Sequence, residues 1–325
     1  MNEQKMTLER FLQIWQDDSP QLLVHTSGST GEPKPLWVEK SRMEASALMT
    51  LKFLRLWEGD TALLCMPLDY IAGMMMVVRS IVGRLQLVDI VPSGHPLSDA
   101  AAGDRHIDFA AMVPMQVYNS MGVEKELERL RGIRRLIIGG GAVDDGMAER
   151  LKDFPHEVWS TYGMTETLSH VAMRRLNGPC ASDWYEPLPG VEVSQSEEGC
   201  LIVDAPRVCH RALATHDIVE MDADGRRFKV VGRIDNVICC GGVKIQAEKV
   251  EKMLKPWIDV PFMVAKEKNE KFGEIPVLVV EGKENKKLED IIAHVLPKYW
   301  VPKKTLFVTR LPLTETGKPR RMLDA

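Results

Sequence analysis

Short apolar runs at 63–66, 85–91, 107–113 and 135–138 alternate with helical patterns, and each run is closed by a proline or a glycine. Strands that alternate with helices imply α/β layers around a largely parallel sheet. The pattern 40–57 predicts a helix, because Met43, Ala47, Leu51 and Leu54 recur at helical spacing, with Gly59 as its stop. The stretch 71–82 is apolar nearly all round and reads as a buried helix. Helices starting at 115, over 124–131 and over 144–154, then a strand at 158–160, continue the alternation. A short amphipathic helix at 7–15 and a strand at 21–25 precede it.

After about Gly178 short strands and turns take over, at 199–203, 218–221 and 228–231. The last part then reads as a compact α+β unit, with helices at 248–254 and 288–295 and strands at 262–265, 277–280 and 305–308. The expected fold class is therefore α/β: a layered large domain with a mostly parallel sheet, plus a small C-terminal α+β domain. The boundary is placed between a domain 1–233 and a domain 236–325. A chain of 325 residues is long enough for one large and one small core.

A net charge of −4 argues against a general nucleic-acid or membrane-surface role. No window approaches the ~18 apolar residues that a membrane helix needs. The cysteines, Cys65, Cys180, Cys200, Cys209, Cys239 and Cys240, form no C-x-x-C pair and no zinc-type spacing with histidine. They are expected to be free thiols in a cytoplasmic protein. Adjacent Cys239 and Cys240 read as strand residues facing opposite ways.

The strand at 21–25 runs straight into Thr26-Ser27-Gly28-Ser29-Thr30-Gly31-Glu32-Pro33-Lys34. Glycines let backbone N–H groups approach an anion, hydroxyls donate to phosphate oxygens, and Lys34 adds a mobile charge. This is not a Walker A loop, because Pro33 stands where that pattern needs its second glycine. Taken alone, the loop is open to two readings: a phosphate cradle or a flexible surface turn.

The loop resembles the phosphate loop of the adenylate-forming superfamily, [ST]-S-G-[ST]-T-G-x-P-K, which covers acyl-CoA synthetases, luciferases and peptide-synthetase adenylation domains. Further segments match that superfamily in order. They are Gly139-Gly140-Gly141-Ala142, then Tyr162-Gly163-Met164-Thr165-Glu166 for Y-G-x-T-E, then Thr215-His216-Asp217 where T-G-D is usual. Gly232-Arg233-Ile234-Asp235 matches G-R-x-D, Gly241-Gly242-Val243-Lys244-Ile245 with Glu248 follows, and 312–318 matches P-x-T-x-x-G-K. The resemblance implies ATP, Mg²⁺ and CoA as the cofactor set, with a small-molecule carboxylic acid as substrate. It implies that Thr26 to Lys34, with Gly140, Gly141, Ala142 and Gly163, hold the nucleotide and that Tyr162 stacks on adenine. Thr165 would touch the α-phosphate and Glu166 would coordinate Mg²⁺. Asp217 would accept from the ribose hydroxyls, with Arg233 in support. Lys318 would be the catalytic lysine of adenylation, Asp235 the hinge, and Gly241 and Gly242 would lie near the thiol tunnel.

For the acid, Pro67-Leu68-Asp69-Tyr70-Ile71-Ala72-Gly73, the pair Arg79-Ser80 and Val113-Pro114-Met115-Gln116 resemble the o-succinylbenzoate–CoA ligases of menaquinone synthesis. That likeness places Arg79 and Tyr70 at the acid. A guanidinium on an otherwise apolar helix needs a partner, either a bidentate substrate carboxylate or a protein acid. Tyr70, Ala72 and His216 depart from the usual histidine, serine and glycine. The family also carries a longer segment ahead of its phosphate loop, whereas 25 residues precede it here. Two expectations stay open, a natural minimal form or a homodimer that supplies the missing surface; the alternatives for function are a ligase for another aryl acid and a non-catalytic nucleotide-binding module.

Overall fold

The computed structural model describes residues 5–25, 35–103, 105–284, 287–313 and 320–323. The loop 26–34 and Lys318 therefore lie outside the described residues. The chain divides into two compact units. The first holds 1–194 with 203–213 and 222–228; the second holds 195–202 and 214–221 with 229–325.

In the first unit, a seven-stranded sheet runs in the order Gln86–Asp89, Thr61–Leu64, Phe109–Met112, Arg135–Ile138, Glu157–Gly163, His170–Arg175, Glu186–Pro187. Neighbours are parallel as far as Glu157–Gly163, and the last two pairings are antiparallel. The central strands are apolar because both faces are covered: all four residues of Phe109–Met112 are buried. Helix Ile71–Gly83 packs against helix Lys40–Leu54. Residues 73–80 of the former are all buried, as its all-round apolar sequence demands.

Helix Lys40–Leu54 stops earlier than the 57 expected, and Gly59 is not its cap. Arg55 takes the left-handed conformation (φ 51°) and returns its N–H to Leu51 and Lys52. The strand Gln21–His25 is as expected. Its partner, Pro35–Glu39, was not foreseen, and the pair is antiparallel with His25 opposite Pro35. Leu22, Val24 and Val38 are buried.

The second unit contains a five-stranded sheet in which Gly273–Glu281 is flanked by Phe262–Asn269 antiparallel and by Lys304–Val308 parallel. A hairpin, Val237–Cys240 with Val243–Gln246, extends it. Cys240 is buried and Cys239 exposed, so the adjacent cysteines do face opposite ways, and all six cysteines are free. Helices Ala247–Leu254 and Lys287–Val295 contribute Val250, Leu254, Leu288 and Ile292 to one apolar core with the sheet.

Residues near the C-terminus are tied into this unit. Arg321 forms a two-pronged ion pair with Glu251 and donates to the Val264 carbonyl at 2.8 Å. Both side chains are at least four-fifths covered (15% and 20% exposed), so water cannot replace a lost partner. Breaking a buried pair leaves one charge uncompensated, so Glu251→Ala is expected to cost about 3 kcal/mol. Chemical denaturation followed by a probe in the second unit checks this. An unchanged midpoint would mean that the pair is solvated.

Candidate functional site

Parallel strands bring their carboxyl ends to one edge of a sheet, where ligands of open α/β folds bind. Four adjacent strands here, Thr61–Leu64, Phe109–Met112, Arg135–Ile138 and Glu157–Gly163, deliver four of the singled-out segments to that edge. These are the turn leading to Tyr70, the turn at Val113 to Gln116, Gly139 to Ala142, and Tyr162 to Glu166. The turns are bonded to one another: the Gln116 side chain donates to the Cys65 and Ser93 carbonyls, and the Thr161 hydroxyl donates to the Ile138 carbonyl. Gln116 is thus a buried bracket for this edge. Gly140, Gly141 and Ala142 are exposed on it.

Tyr162 lies at the end of its strand, in a cluster with Phe228 (5.1 Å between centroids, near-perpendicular) and Tyr185 (6.0 Å). Phe228 is fully buried and stacked on Tyr185. At Gly163 the antiparallel register with His170–Arg175 shifts. A Cβ there would press on the Ser169 carbonyl and lie 2.5 Å from His170 Cα, so only glycine fits. Thr165 to Thr167 form one 3₁₀ turn, with Thr165 and Thr167 buried and Glu166 exposed. The next residue, Leu168, is non-glycine at φ 63°, ψ −34°, a conformation that costs on the order of 1 kcal/mol or more. Its side chain is nonetheless 3% exposed, so burial holds the strained bend in place. Cys209 donates to the Glu166 carbonyl, and burial pushes its thiol pKa up.

Arg79 is 2% exposed and has no protein carboxylate partner among the described residues. Its Nη2 donates to the Ser169 hydroxyl, Nη1 has only a 3.8 Å contact with Met76 Sδ, and Nε has no partner. Burial pushes this guanidinium down to about 9, so it stays charged at neutral pH. Of the two partners open to it from the sequence, a protein acid is not found among the described residues. Tyr70 is half-exposed and precedes the same helix. Nine residues of rise separate it from Arg79, about 13 Å, so the helix does not bring the two together. Ser169, His170 and Thr50 were not singled out in the sequence, and a histidine in the otherwise apolar run His170 to Met173 was the available signal.

In the second unit, Arg233 bridges two carboxylates: Nη1 to Asp217 at 2.9 Å and Nη2 to Asp235 at 2.9 Å. Burial opposes the charge of Arg233, but these acids outweigh it and raise its pKa. His216, at the place where glycine is usual, closes the cluster with Nδ1 at 3.0 Å from both Asp235 oxygens. Its bulk therefore finds a polar partner. Burial would lift the Asp235 carboxyl, yet the bonds from His216 and Arg233 hold it below the usual carboxylate range. Gly241 and Gly242 are the turn of the hairpin, both at positive φ (56° and 85°), which is what a two-residue loop of type I′ requires. Asn236 donates to Glu248, joining the segment after Arg233 to helix Ala247–Leu254.

No group of three or more His, Cys, Asp or Glu side chains able to hold a metal exists among the described residues. A single exposed carboxylate such as Glu166 suits Mg²⁺, which is usually bound through one or two carboxylates plus substrate phosphates and water.

The fold and this edge are those of an open α/β ligand-binding domain, and the chain also carries an α+β unit. Residues 3–254 match the model of the AMP-binding enzyme family, and residues 262–318 match the AMP-binding enzyme C-terminal domain. The chain belongs to the AMP-binding enzyme family. It is 35% identical to an acyl-CoA synthetase (AMP-forming)/AMP-acid ligase II-like protein from Dyadobacter fermentans, with TM-score 0.65, over 95% of this chain and 90% of that one. It is 24% identical to the 2-succinylbenzoate–CoA ligase of Lactococcus lactis, over 93% of this chain and 70% of that protein. The o-succinylbenzoate coenzyme A synthetase (MenE) of Bacillus subtilis, solved with ATP and magnesium ion, superposes with TM-score 0.75 at 22% identity, over 92% of this chain and 68% of that one.

His216→Gly removes one of the bonds that lower Asp235, so the Asp235 carboxyl should titrate at higher pH in the variant. A carbon-detected NMR titration reads this directly. An unchanged midpoint would mean that the His216 contact does not persist in solution.

Proposed function

We propose that the chain is an AMP-forming acid–CoA ligase: it adenylates a carboxylic acid with ATP and passes the acyl group to CoA. The proposed acid is o-succinylbenzoate, which would place the enzyme in menaquinone synthesis. The observation that carries the substrate reading is the buried Arg79, which has no counter-ion among the described residues. It is bonded to Ser169, three residues beyond the Thr165–Glu166 turn. A buried cation is costly unless an anion meets it, and a second carboxylate on the acid supplies one. The names of the L. lactis and B. subtilis relatives support the same acid.

In this reading residues 26–34 hold the ATP phosphates, with Gly140, Gly141, Ala142 and Gly163 alongside. Tyr162 packs against adenine, backed by Phe228 and Tyr185. Thr165 contacts the α-phosphate, and Glu166 together with the phosphates would hold Mg²⁺, which when bound would supply positive charge beside them. Asp217 accepts from the ribose, with its carboxylate oriented by Arg233. Lys318 bridges the acid carboxylate and the α-phosphate as charge develops, and catalysis is mostly positioning plus cationic stabilisation. Asp235, between the domains proposed at 1–233 and 236–325, is the hinge, and Gly241 and Gly242 neighbour the thiol path. A cytoplasmic location and a homodimer complete the proposal.

A pyrophosphate-release screen over aryl and dicarboxylic acids tests it. Turnover is expected with o-succinylbenzoate. Lys318→Ala should abolish it while ATP binding by calorimetry survives. Arg79→Ala should raise the KM for the dicarboxylic acid at least tenfold, about 1.4 kcal/mol, and leave the KM for ATP unchanged. Tight ATP binding with no turnover on any acid would overturn the ligase reading, and activity on monocarboxylic acids indifferent to Arg79→Ala would overturn the substrate.

A further inference from the structure

Arg79 ends a buried chain of hydrogen bonds that starts on the neighbouring helix. Thr50, fully buried in helix Lys40–Leu54, donates its hydroxyl hydrogen to the Ser46 carbonyl at 3.2 Å. It has one hydrogen; with that hydrogen on Ser46, the 2.9 Å contact between its oxygen and His170 Nε2 is made with Nε2–H as the donor. His170 Nδ1 then carries the lone pair, and the Ser169 hydroxyl, 3.3 Å away, donates to it. Ser169 has a lone pair left, which accepts from Arg79 Nη2.

Electrostatics selects the same tautomer. The ring turns its negative side toward the buried cation, whereas the other tautomer would aim an N–H along the path to Arg79. His170 is 7% exposed, and its pKa is pushed well below the usual histidine range, first by burial and then by the charge of Arg79. It is therefore neutral. Every hydrogen in the chain from Thr50 to Ser169 has an acceptor, and no member carries negative charge.

We infer that Thr50 and His170 are positioning residues for the acid substrate: they fix the Ser169 hydroxyl so that Arg79 is oriented by neutral dipoles and keeps its charge for the anionic arm of a dicarboxylic acid. This rests on the reading of Arg79 given above. The chain accounts for two features together. A protein acid beside Arg79 would have satisfied the cation more cheaply but would have used up the charge that recognises substrate. The lone contact to Ser169 holds one Nη, leaving Nε without a partner and Nη1 with only a sulfur. The rigid bend at Leu168 and the close approach at Gly163 set Ser169 from the other side.

The test compares steady-state kinetics of His170→Phe, His170→Gln, Ser169→Asp and Arg79→Ala with o-succinylbenzoate. His170→Phe is expected to raise the KM for the acid about tenfold, 1.4 kcal/mol of binding, with kcat and the KM for ATP within about twofold. His170→Gln, whose amide both donates and accepts, should recover most of that loss. Ser169→Asp supplies a counter-ion from the protein itself and should raise the acid KM at least as far. Equal losses in kcat and in both KM values would mark a general packing lesion and overturn the proposal, as would an acid KM unmoved by His170→Phe or by Ser169→Asp. If Arg79→Ala itself leaves the acid KM unchanged, the fault lies in the reading of Arg79. Nitrogen-15 NMR of the histidine-labelled wild-type protein, with His170 assigned by comparison with His170→Gln, needs no destabilised variant. A neutral Nε2–H ring is expected, and an imidazolium or an Nδ1–H ring overturns the assignment.

Discussion

Parallel pairing of the strands from Gln86–Asp89 to Glu157–Gly163 sends all their carboxyl ends to one side of the sheet. Everything that can bind at that edge follows from this direction. The turns after those strands are short, so each places its first polar residues beside those of its neighbour, and Gln116 and Thr161 bond them together. The last parallel strand then reverses into His170–Arg175 through the strained Leu168. That reversal brings Ser169 and His170 back toward helix Ile71–Gly83, where Arg79 is buried. A loop that would otherwise only close a hairpin thus joins the Thr165–Glu166 turn to a cation in the core.

Arg79 sets the energetic problem. Removing a guanidinium from water is expensive, and a hydroxyl with a thioether contact compensates little of it. Proteins keep such a group when it has work that a satisfied ion pair could not do. In the second unit the opposite choice is made, since Arg233 is shared between Asp217 and Asp235 and Arg321 is gripped by Glu251. In the proposed reading, the contrast is between cations paired within the protein and one held for the substrate.

The sequence made much of this legible where one physical signal dominated. The strand Arg135–Ile138 is apolar and ends in three glycines, and helix Ile71–Gly83 is apolar on every side. The family resemblance was carried by loops whose chemistry depends on local order. It was less readable where structure came from partners distant in the chain. Strand Pro35–Glu39 opens with a proline and exists because Gln21–His25 pairs with it. Helix Lys40–Leu54 ended before its pattern did, because Arg55 adopts a conformation that arginine rarely takes. The Thr50–His170 contact spans 120 positions and involves residue types with many ordinary uses, so no spacing could announce it. Gly241 and Gly242 were legible as a motif, but their positive φ angles give them a turn role that needs no ligand.

The central claim is that the charge of Arg79 is held for the acid. The most direct measurement is a crystal structure of the chain with a non-hydrolysable o-succinylbenzoyl-adenylate analogue. The account predicts the free carboxylate of the acid within hydrogen-bond distance of the Arg79 guanidinium, with the Ser169 contact kept. An acid arm bound elsewhere, away from the Arg79 guanidinium, would contradict it.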